Sequence, residues 1–559
     1  MGVSKIITLY NTLRYLKPIQ LLYRGKQLVG KYTSSGIDLN GTLKIKSSDM
    51  VFEGSIPFAP TYDVQSKCFS FLNRSHSFSS RIDWNWLGYG RLWVYNLNYF
   101  EYLDQENLPK EEGLVLIDDF ISRLPDCVVG LEPYPLSLRC TNWIRFLGKH
   151  KIRNDKYDVI LFKQLQLLTH KLEYHLLGNH LLENGFALFF GAYYFDDYRF
   201  YKLARRILLS ELNEQTLHDG GNFELSPMYH CIILLRVLDC YNLVKSNSLF
   251  KKELLSFFEE KSLKMLGWLS SVCFENGDIP LFNDAAFGIS PSPVALFAYA
   301  KRLGLNFEKS GLSDSGYRKL VTNKFECVVD VSRVGPDYQP GHAHADTFTF
   351  ELHINNRPVI IDTGTSTYEV NEARFYERST MAHNTVVVDN VNSSEVWAGH
   401  RVGKRAYVKL LKDKENKIQA VHSGYKSKGI RHLRSFSIKD ETLIIEDVIG
   451  GQAMAYLHFH PSEQIEIFDN EIKGTDYSIL INGAISIEMF DSYYAPEFNK
   501  KIPSKSIRIN FKNKLETLFK WSYFFYLSIL NRIFAPARLE IPLYFRKSGI
   551  NWEKMILSM

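Results

Sequence analysis

The hydrophobic pattern of the chain changes its period near residue 320, and this change limits the folds available to it. Before that point, apolar residues recur every three or four positions in long segments typical of amphipathic helices: Tyr157–Leu177, Leu181–Phe195, Tyr198–Leu212, Met228–Val244, Leu249–Phe274 and Pro293–Leu303. After it, short runs alternate every two residues, as in residues 347–352 and 442–448, which indicates antiparallel strands. A helical half followed by a strand half predicts an α+β chain of at least two domains.

The same pattern divides the 559 residues into four regions. We expect a basic, helical lead-in over residues 1–80, a helical domain over 81–320 and an antiparallel β domain over 321–512. Helix-like spacing with a basic bias returns over 513–559, where we expect a helical extension.

The composition limits the binding partners and the redox compartment that we expect for this protein. Phe, Tyr and Trp make up 14% of the residues, and aromatic faces are common partners of sugar rings. The net charge of +6 is spread without a Lys/Arg block, which argues against nucleic acid as the partner and allows an anionic one. The seven cysteines stand singly, which predicts buried thiols in a reducing compartment.

The termini bear on localisation. The first 18 residues mix apolar residues with Asn, Arg and Lys and have no secretory signal, so the sequence by itself predicts the cytoplasm. No stretch reaches the roughly 20 apolar residues of a membrane-spanning helix. The nearest, Trp521–Leu530, is short and basic at its flanks, which predicts a packed helix and leaves room for a peripheral membrane contact.

A short histidine motif opens the β half. His342, His344 and Asp346 alternate along the chain, so an extended strand would project all three to one face. Asp362 closes one apolar strand and His383 precedes another. His344, Asp362 and His383 would suit a zinc-type ion, with His342 beside them as a free base or acid. The alternative is that these are polar strand ends bonded to the backbone.

Polar residues also collect where the predicted helices begin. Asn179 suits an N-cap, and Ser226-Pro227 reads as a cap followed by proline at the first helical position. Capping does not explain the other polar residues at these ends, which we expect to face a cleft between helices: His180, Glu183, Glu224, Tyr229 and His230. Near residue 140, Arg139 and Trp143 provide a cation and an aromatic ring suited to an acidic sugar.

Five of these motifs resemble, in order and spacing, the heparinase II/III family of polysaccharide lyases and the related oligoalginate lyases. The matching motifs are Asn179–Glu183, Ser226–Tyr229, Gly341–Asp346, Asp362–Thr365 and Arg378–Thr385. The resemblance covers roughly residues 80 to 500. It implies an incomplete (α/α) toroid of helical hairpins followed by an antiparallel β-sandwich, with the substrate cleft between them.

The resemblance also implies a chemistry and roles for residues. A uronate polymer is cleaved by removing the C5 proton and expelling the oxygen at C4, which requires a neutralised carboxylate, a base and an acid. Asn179 and His180 suit the carboxylate, Glu183 could orient His180, and Tyr229 and His342 are the base and acid, in an order left open. Tyr368 is the best match to a further family tyrosine, with Tyr376 as the alternative.

The resemblance to the family also implies a metal site and contacts to the substrate. His344, Asp362 and His383 match the family's metal positions, which implies a single divalent ion, zinc by preference, with a structural role. Arg378 is expected either to contact a substrate carboxylate or to form a structural ion pair. The implied partner is an anionic, uronate-containing polysaccharide or oligosaccharide, and the implied location is the periplasm or envelope of a bacterium.

Three functions remain open at this point. The first is a lyase that acts by β-elimination. The second is a uronyl C5-epimerase, which uses the same groups without expelling the leaving group. The third is a catalytically inactive glycan-binding protein of surface-polysaccharide assembly.

Overall fold

A computed structural model describes residues 3–30, 47–79 and 81–521. Within them the helices are α1 Val3–Leu13, α2 Pro18–Gly30, α3 Arg91–Tyr99, α4 Lys110–Arg123, α5 Pro133–Lys149, α6 Asp155–His170, α7 Gly178–Phe195, α8 Tyr198–Gln215, α9 Pro227–Ser246, α10 Leu255–Val272, α11 Pro293–Arg302 and α12 Glu372–Glu377. All six helical segments expected from the sequence appear, with shifted ends.

The helical part is built from neighbours that pack as hairpins around an apolar centre. Helix α7 packs against α5, α8 and α9. Nearly all of its residues are buried, because its sequence is apolar around the whole circumference. The helix therefore lies inside the toroid, and its polar first turn is the part that faces the β half.

The strands follow in chain order: β1 Tyr62–Asp63, β2 Cys68–Phe71, β3 Arg74–Ser77, β4 Tyr317–Val321, β5 Phe325–Asp330, β6 Phe350–Ile354, β7 Arg357–Ile360, β8 Val386–Val387, β9 Val396–Trp397, β10 Arg401–Val402, β11 Val408–Lys414, β12 Lys417–His422, β13 His432–Lys439, β14 Thr442–His458, β15 Glu466–Phe468, β16 Glu471–Lys473, β17 Tyr477–Glu497 and β18 Lys500–Trp521. Strands β1 to β3 form a small sheet inside the predicted lead-in.

Two antiparallel sheets form the sandwich of the β half, and β9 and β10 pair separately. One has four strands in the order β4-β5-β6-β7, and the other has nine, in the order β11-β12-β13-β14-β18-β17-β16-β15 with β8 beside β14. Phe350 of the four-stranded sheet packs against Phe436 and Phe519 of the nine-stranded sheet, and the ring centroids are 6.0 and 6.1 Å apart. This shared core makes the β half a sandwich, as expected.

The expected helical extension over 513–559 is wrong at its start. Strand β18 continues to Trp521, paired with β14 and β17. Leu515 and Phe519 point into the sandwich core, so the period of two holds where the spacing also fitted a helix. Residues 522–559, with most of the segment considered for a membrane contact, lie outside the described residues. In the described part of the chain, no helix has the length and apolar character needed to cross a membrane.

Candidate active site

A cavity of about 1170 Å³ lies where the toroid meets the sandwich. Its wall combines side chains from both halves and from the N-terminal helices: Gln20, Arg24, Tyr99, Glu101, Tyr134, Asn179, His180, Glu183, Tyr229, Arg236, Gln339, His342, Tyr368, His400, Arg401 and Arg405. All the catalytic candidates named from the sequence line this one cavity: Asn179, His180, Tyr229, His342 and Tyr368.

The first turn of α7 contributes Asn179 and His180 to the toroid wall. Leu177 and Gly178 both have positive φ, 63° and 60°, and Leu177 is the N-cap, so the prediction that Asn179 caps the helix is wrong. A Cβ on Gly178 would lie 2.4 Å from Gln339 Oε1 and 2.7 Å from Glu224 Oε1. The Asn179 backbone N–H donates to Glu224 Oε1 at 2.9 Å, while its buried Oδ1 has no hydrogen-bond partner among the described residues. The Asn179 side chain lines the cavity, where its amide N–H groups can face a ligand.

His180 lies one position further on, beside carboxylates. Its Nδ1 is 3.0 Å from Glu173 Oε1, and its ring packs 4.7 Å from that of Tyr134. Burial lowers the pKa of His180, but Glu173, with Glu224 and Glu183 behind it, outweighs burial and raises the pKa above its ordinary value. A cationic imidazole at the cavity wall is suited to a substrate carboxylate.

Glu183 also lines the cavity, but the carboxylate bonded to His180 is Glu173 and not Glu183 as expected. Its Oε1 accepts from Arg236 Nε at 3.2 Å, and its Oε2 is buried without a partner in the described chain. His230, also expected to face the cleft, is buried and meets the Met265 carbonyl through Nε2 at 3.0 Å.

Tyr229 is placed by a capped helix start, as the sequence indicated. Ser226 Oγ accepts from the Tyr229 backbone N–H at 3.3 Å and Pro227 occupies the first turn. The Tyr229 hydroxyl is 3.2 Å from the Tyr368 hydroxyl, and its ring lies 3.9 Å from that of His342. Burial, then Tyr368, raises the pKa of Tyr229 well above its ordinary value, so the resting phenol is neutral.

The loop tyrosine in the cavity is Tyr368. Its ring also lies 5.0 Å from the Arg374 guanidinium. Tyr376, the alternative, instead packs against Tyr493 at 5.6 Å and is not among the cavity-lining residues.

The two histidines of the sandwich wall contact a residue that the sequence analysis missed, Asp284, which lies in the helical half between α10 and α11. This buried carboxylate faces His342 Nδ1 at 3.0 Å and His344 Nε2 at 2.9 Å, and it accepts two hydrogen bonds from Arg374. Burial opposes its charge, but Arg374 and then the histidines hold the pKa of Asp284 well below its usual range. Asp284 precedes the histidine motif by 58 residues, and no local spacing connects them.

The strand predicted from the histidine motif is also wrong. The chain from His342 to Thr349 is a loop, and the strand begins at Phe350. His342 and His344 nevertheless turn to one side, because both face the Asp284 carboxylate. A shared buried charge, and not strand alternation, brings the two imidazoles together.

The three expected metal ligands lie near one another without forming one cluster. His383 Nδ1 is 2.7 Å from Asp362 Oδ2, and the rings of His344 and His383 are 5.4 Å apart. His344 Nδ1 and His383 Nε2 are buried and lack a hydrogen-bond partner within the described residues. Burial lowers the pKa of His344 to about 3, so it is neutral. No group of three His, Cys, Asp or Glu side chains in the described ranges converges closely enough to hold an ion.

Three expected substrate contacts are placed elsewhere. Arg139 is fully buried, with Nε donating to Gln164 at 2.7 Å and Nη1 donating to the Gly130 carbonyl at 2.8 Å. Trp143 is buried between Phe100 and Phe120. Both side chains lie on the face of α5 that packs into the interior of the toroid. A protein interior can hold an arginine or a tryptophan when the apolar part of the side chain packs well.

Arg378 is structural as well. It donates to the Ala343 carbonyl at 2.8 Å through Nη2, and burial lowers its pKa to about 9. Its partner is thus a backbone carbonyl, neither a substrate nor a carboxylate. The bond fixes the loop that carries His342 and His344.

Known proteins resemble the chain over both halves. The family model described as Heparinase II/III N-terminus matches residues 136–295, and that described as Heparinase II/III-like, C-terminal matches 306–522. The heparin-sulfate lyase of Bacteroides stercoris is 25% identical over 321 residues, 51% of this chain and 46% of that protein. The heparin-sulfate lyase of Pedobacter heparinus is 28% identical over 255 residues, 40% of this chain and 38% of that protein.

Solved structures agree on the fold. A crystal structure of heparinase III has a TM-score of 0.66 at 17% identity, covering 90% of this chain and 91% of the other. A heparan sulfate lyase from Pedobacter heparinus has a TM-score of 0.52 at 18% identity, covering 80% and 79%. These neighbours support a helical toroid followed by a β-sandwich.

The two family models together span most of the chain, and each matches one wall of the cavity. The chain belongs to the heparinase II/III family. It aligns with less than half the length of the two curated lyases.

Proposed function

We propose that the protein is a polysaccharide lyase that cleaves a uronate-containing glycan by β-elimination. The observation that carries this proposal is the meeting of Tyr229 from the toroid with His342 from the sandwich, whose rings are 3.9 Å apart in one cavity. Asn179 and His180 line the same cavity and provide a side-chain amide, whose N–H groups can donate to a carboxylate, beside an imidazole whose pKa is raised.

In the proposed reaction His342 is the base. In this scheme His342 donates through Nδ1 to the Asp284 carboxylate, 3.0 Å away, and acts on the substrate through Nε2. Glu224 Oε2 lies 3.6 Å from Nε2, beyond hydrogen-bond distance. His342 takes the C5 proton, and the C5–H electrons form the C4–C5 double bond.

Tyr229 is the acid in this scheme. Its neutral phenol donates the proton to the C4 oxygen as the C4–O bond breaks. His180 and Asn179 stabilise the carboxylate, whose negative charge grows as the proton leaves. Tyr368, 3.2 Å from the Tyr229 hydroxyl, orients the phenol and is the group through which the lost proton is replaced.

We propose, as a second part, that His344, Asp362 and His383 hold a zinc ion. Because these side chains do not converge on one point in the structure, binding the ion would require them to turn toward one another. The unpartnered His344 Nδ1 and His383 Nε2, beside a carboxylate, match zinc's preference for imidazole and carboxylate ligands. When bound, the ion would supply a positive charge that braces the sandwich wall. The second nitrogen of His344 already faces Asp284, the kind of carboxylate partner that orients metal-binding histidines.

The reaction is tested with purified protein on heparan sulfate, alginate and related polyuronates, following the ultraviolet absorbance of the new double bond. Tyr229→Phe and His342→Gln should each lower kcat by about 10²- to 10⁴-fold with little change in thermal stability. Tyr376→Phe, a tyrosine beside the same loop but outside the cavity lining, is the matched control and should keep wild-type rates.

Two results would contradict the proposal. Absence of any unsaturated product across the panel would exclude the lyase. Solvent deuterium entering C5 without chain cleavage would identify a uronyl C5-epimerase that uses the same residues.

A further inference from the structure

The hairpin of α1 and α2 contacts both halves of the molecule at the cavity rim. Gln20 Nε2 donates to the Leu176 carbonyl at 3.3 Å on the toroid and to the Tyr338 carbonyl at 3.4 Å in the β half. Trp397 Nε1 donates to Thr12 Oγ1 at 3.2 Å. The hairpin lies outside the residues matched by either family model, so its contribution to the cavity is separate from the motifs that define the family.

Charge pairing around the cavity is uneven. Most acidic side chains of the wall already have a cation: Glu101 and Glu183 face Arg236, Asp337 faces Arg405, and Glu497 faces Lys500. Glu106, on the exposed surface, is the remaining acid of the lining. The pairing leaves two guanidinium groups of the wall, Arg24 and Arg401, without a carboxylate at ion-pair distance in the ranges 3–30, 47–79 and 81–521.

These two arginines line the same cavity. Arg24 Nε is buried and has no hydrogen-bond partner among the described residues. Burial lowers the pKa of Arg24, and the positive charge of Arg401 adds to that effect. A buried guanidinium N–H without an acceptor is unfavourable, and a bound anion would supply the acceptor.

We propose that Arg24 and Arg401 form a second anion subsite, which binds a carboxylate or sulfate of the glycan other than the carboxylate held by Asn179 and His180. Guanidinium groups suit both anions, because their planar N–H pairs match two oxygens at once. The inference rests on the proposed function and extends it: the substrate must carry acidic groups on at least two of its sugars.

The test measures binding in the inactive Tyr229→Phe background by calorimetry. The probes are tetrasaccharides of heparan sulfate, of its fully desulfated form and of alginate. Arg24→Gln and Arg401→Gln should each weaken binding by about 10-fold or more, the range of a hydrogen bond to a charged group. Arg24→Lys keeps the charge and should recover part of the loss. Lys5→Gln, an exposed cation on the same hairpin, should bind as the parent does.

The probes identify which anion is bound. If the subsite takes sulfate, the Arg24→Gln effect disappears on the desulfated probe. If it takes carboxylate, the effect persists there and on alginate.

Two results would overturn the subsite: equal affinity of the Arg24→Gln/Arg401→Gln double variant and its parent for every probe, or no binding of any probe to the parent. If the parent binds and the double variant does not, while the protein with Tyr229 restored cleaves nothing, the subsite stands and the lyase assignment fails. In the active protein, the same substitutions should raise KM and leave kcat nearly unchanged, the reverse of Tyr229→Phe.

Discussion

The two walls of the cavity are held in place by different physics. On the toroid side, Asn179, His180 and Tyr229 occupy the first turns of α7 and α9, where backbone geometry and a Ser226 cap fix their positions. On the sandwich side, His342 and His344 lie in a loop and are held by the buried Asp284–Arg374 pair. Local structure therefore positions one wall, while long-range charge pairing positions the other, and only the second should fail when a single charge is removed.

The largest expected effect tests that difference directly. Asp284→Asn keeps the shape but leaves the Arg374 guanidinium buried without its carboxylate, which costs about 3–5 kcal/mol of stability. We also expect kcat to fall by about 10- to 100-fold, because His342 loses the group that orients it. Chemical denaturation and steady-state rates measure the two effects.

Asp219→Asn is the matched control on the helical side. Asp219 is also a buried carboxylate, but its partners are the neutral Ser313 and Ser315 backbone N–H groups and the Ser315 hydroxyl. Its substitution should cost about 1–3 kcal/mol and leave kcat unchanged. Equal losses of kcat in the two variants would contradict the distinction between the walls.

Metal removal should act on the sandwich wall with an intermediate effect. We expect purified protein to contain about one zinc per chain by elemental analysis. Chelation should lower the melting temperature by several degrees, because the ion binds the folded state and not the unfolded chain. His383→Ala should abolish zinc content, whereas His460→Ala, a partly exposed histidine bonded to Ser462, should preserve it. Protein that is free of metal when purified and insensitive to chelator would refute the zinc site.

The smallest expected effect concerns pH and the toroid wall. Burial lowers the pKa of His180, but the surrounding carboxylates, Glu173 first among them, outweigh burial and raise it. The imidazole should therefore keep its charge at pH values above its ordinary pKa. As pH rises through that raised pKa, the cation facing the substrate carboxylate is lost and KM should increase. The stability gained from the raised pKa follows the same sign: it is complete below the unfolded value of about 6.5 and lost through the folded one.

Glu173→Gln lowers the pKa of His180 by removing the nearest anion. The rise in KM should therefore move to lower pH, with kcat little changed at low pH. Glu446→Gln, which removes a surface partner of Lys514 in the sandwich, should leave the KM profile in place. An unchanged profile in Glu173→Gln would show that His180 does not bind the carboxylate in its charged form.

The sequence by itself determined the features that depend on local periodicity and on motifs. The six helices, the change to antiparallel strands and the capped start of α9 at Ser226-Pro227 follow from spacing, caps and proline positions, which act over a few residues. The motif order was enough to identify the family and to select the five catalytic candidates that line one cavity.

Only the tertiary structure decided which polar residues face the cavity and which are buried for packing. Arg139 and Arg378 carry the same charge as Arg24 and Arg401, but the first two bond to backbone or buried amide groups and the last two reach the cavity wall. Asp284 holds two histidines some 60 residues further along the chain. A buried charge is unfavourable unless a partner lies beside it, so these residues must pair in the folded protein. The partners come from distant parts of the chain, and no local sequence pattern identifies them.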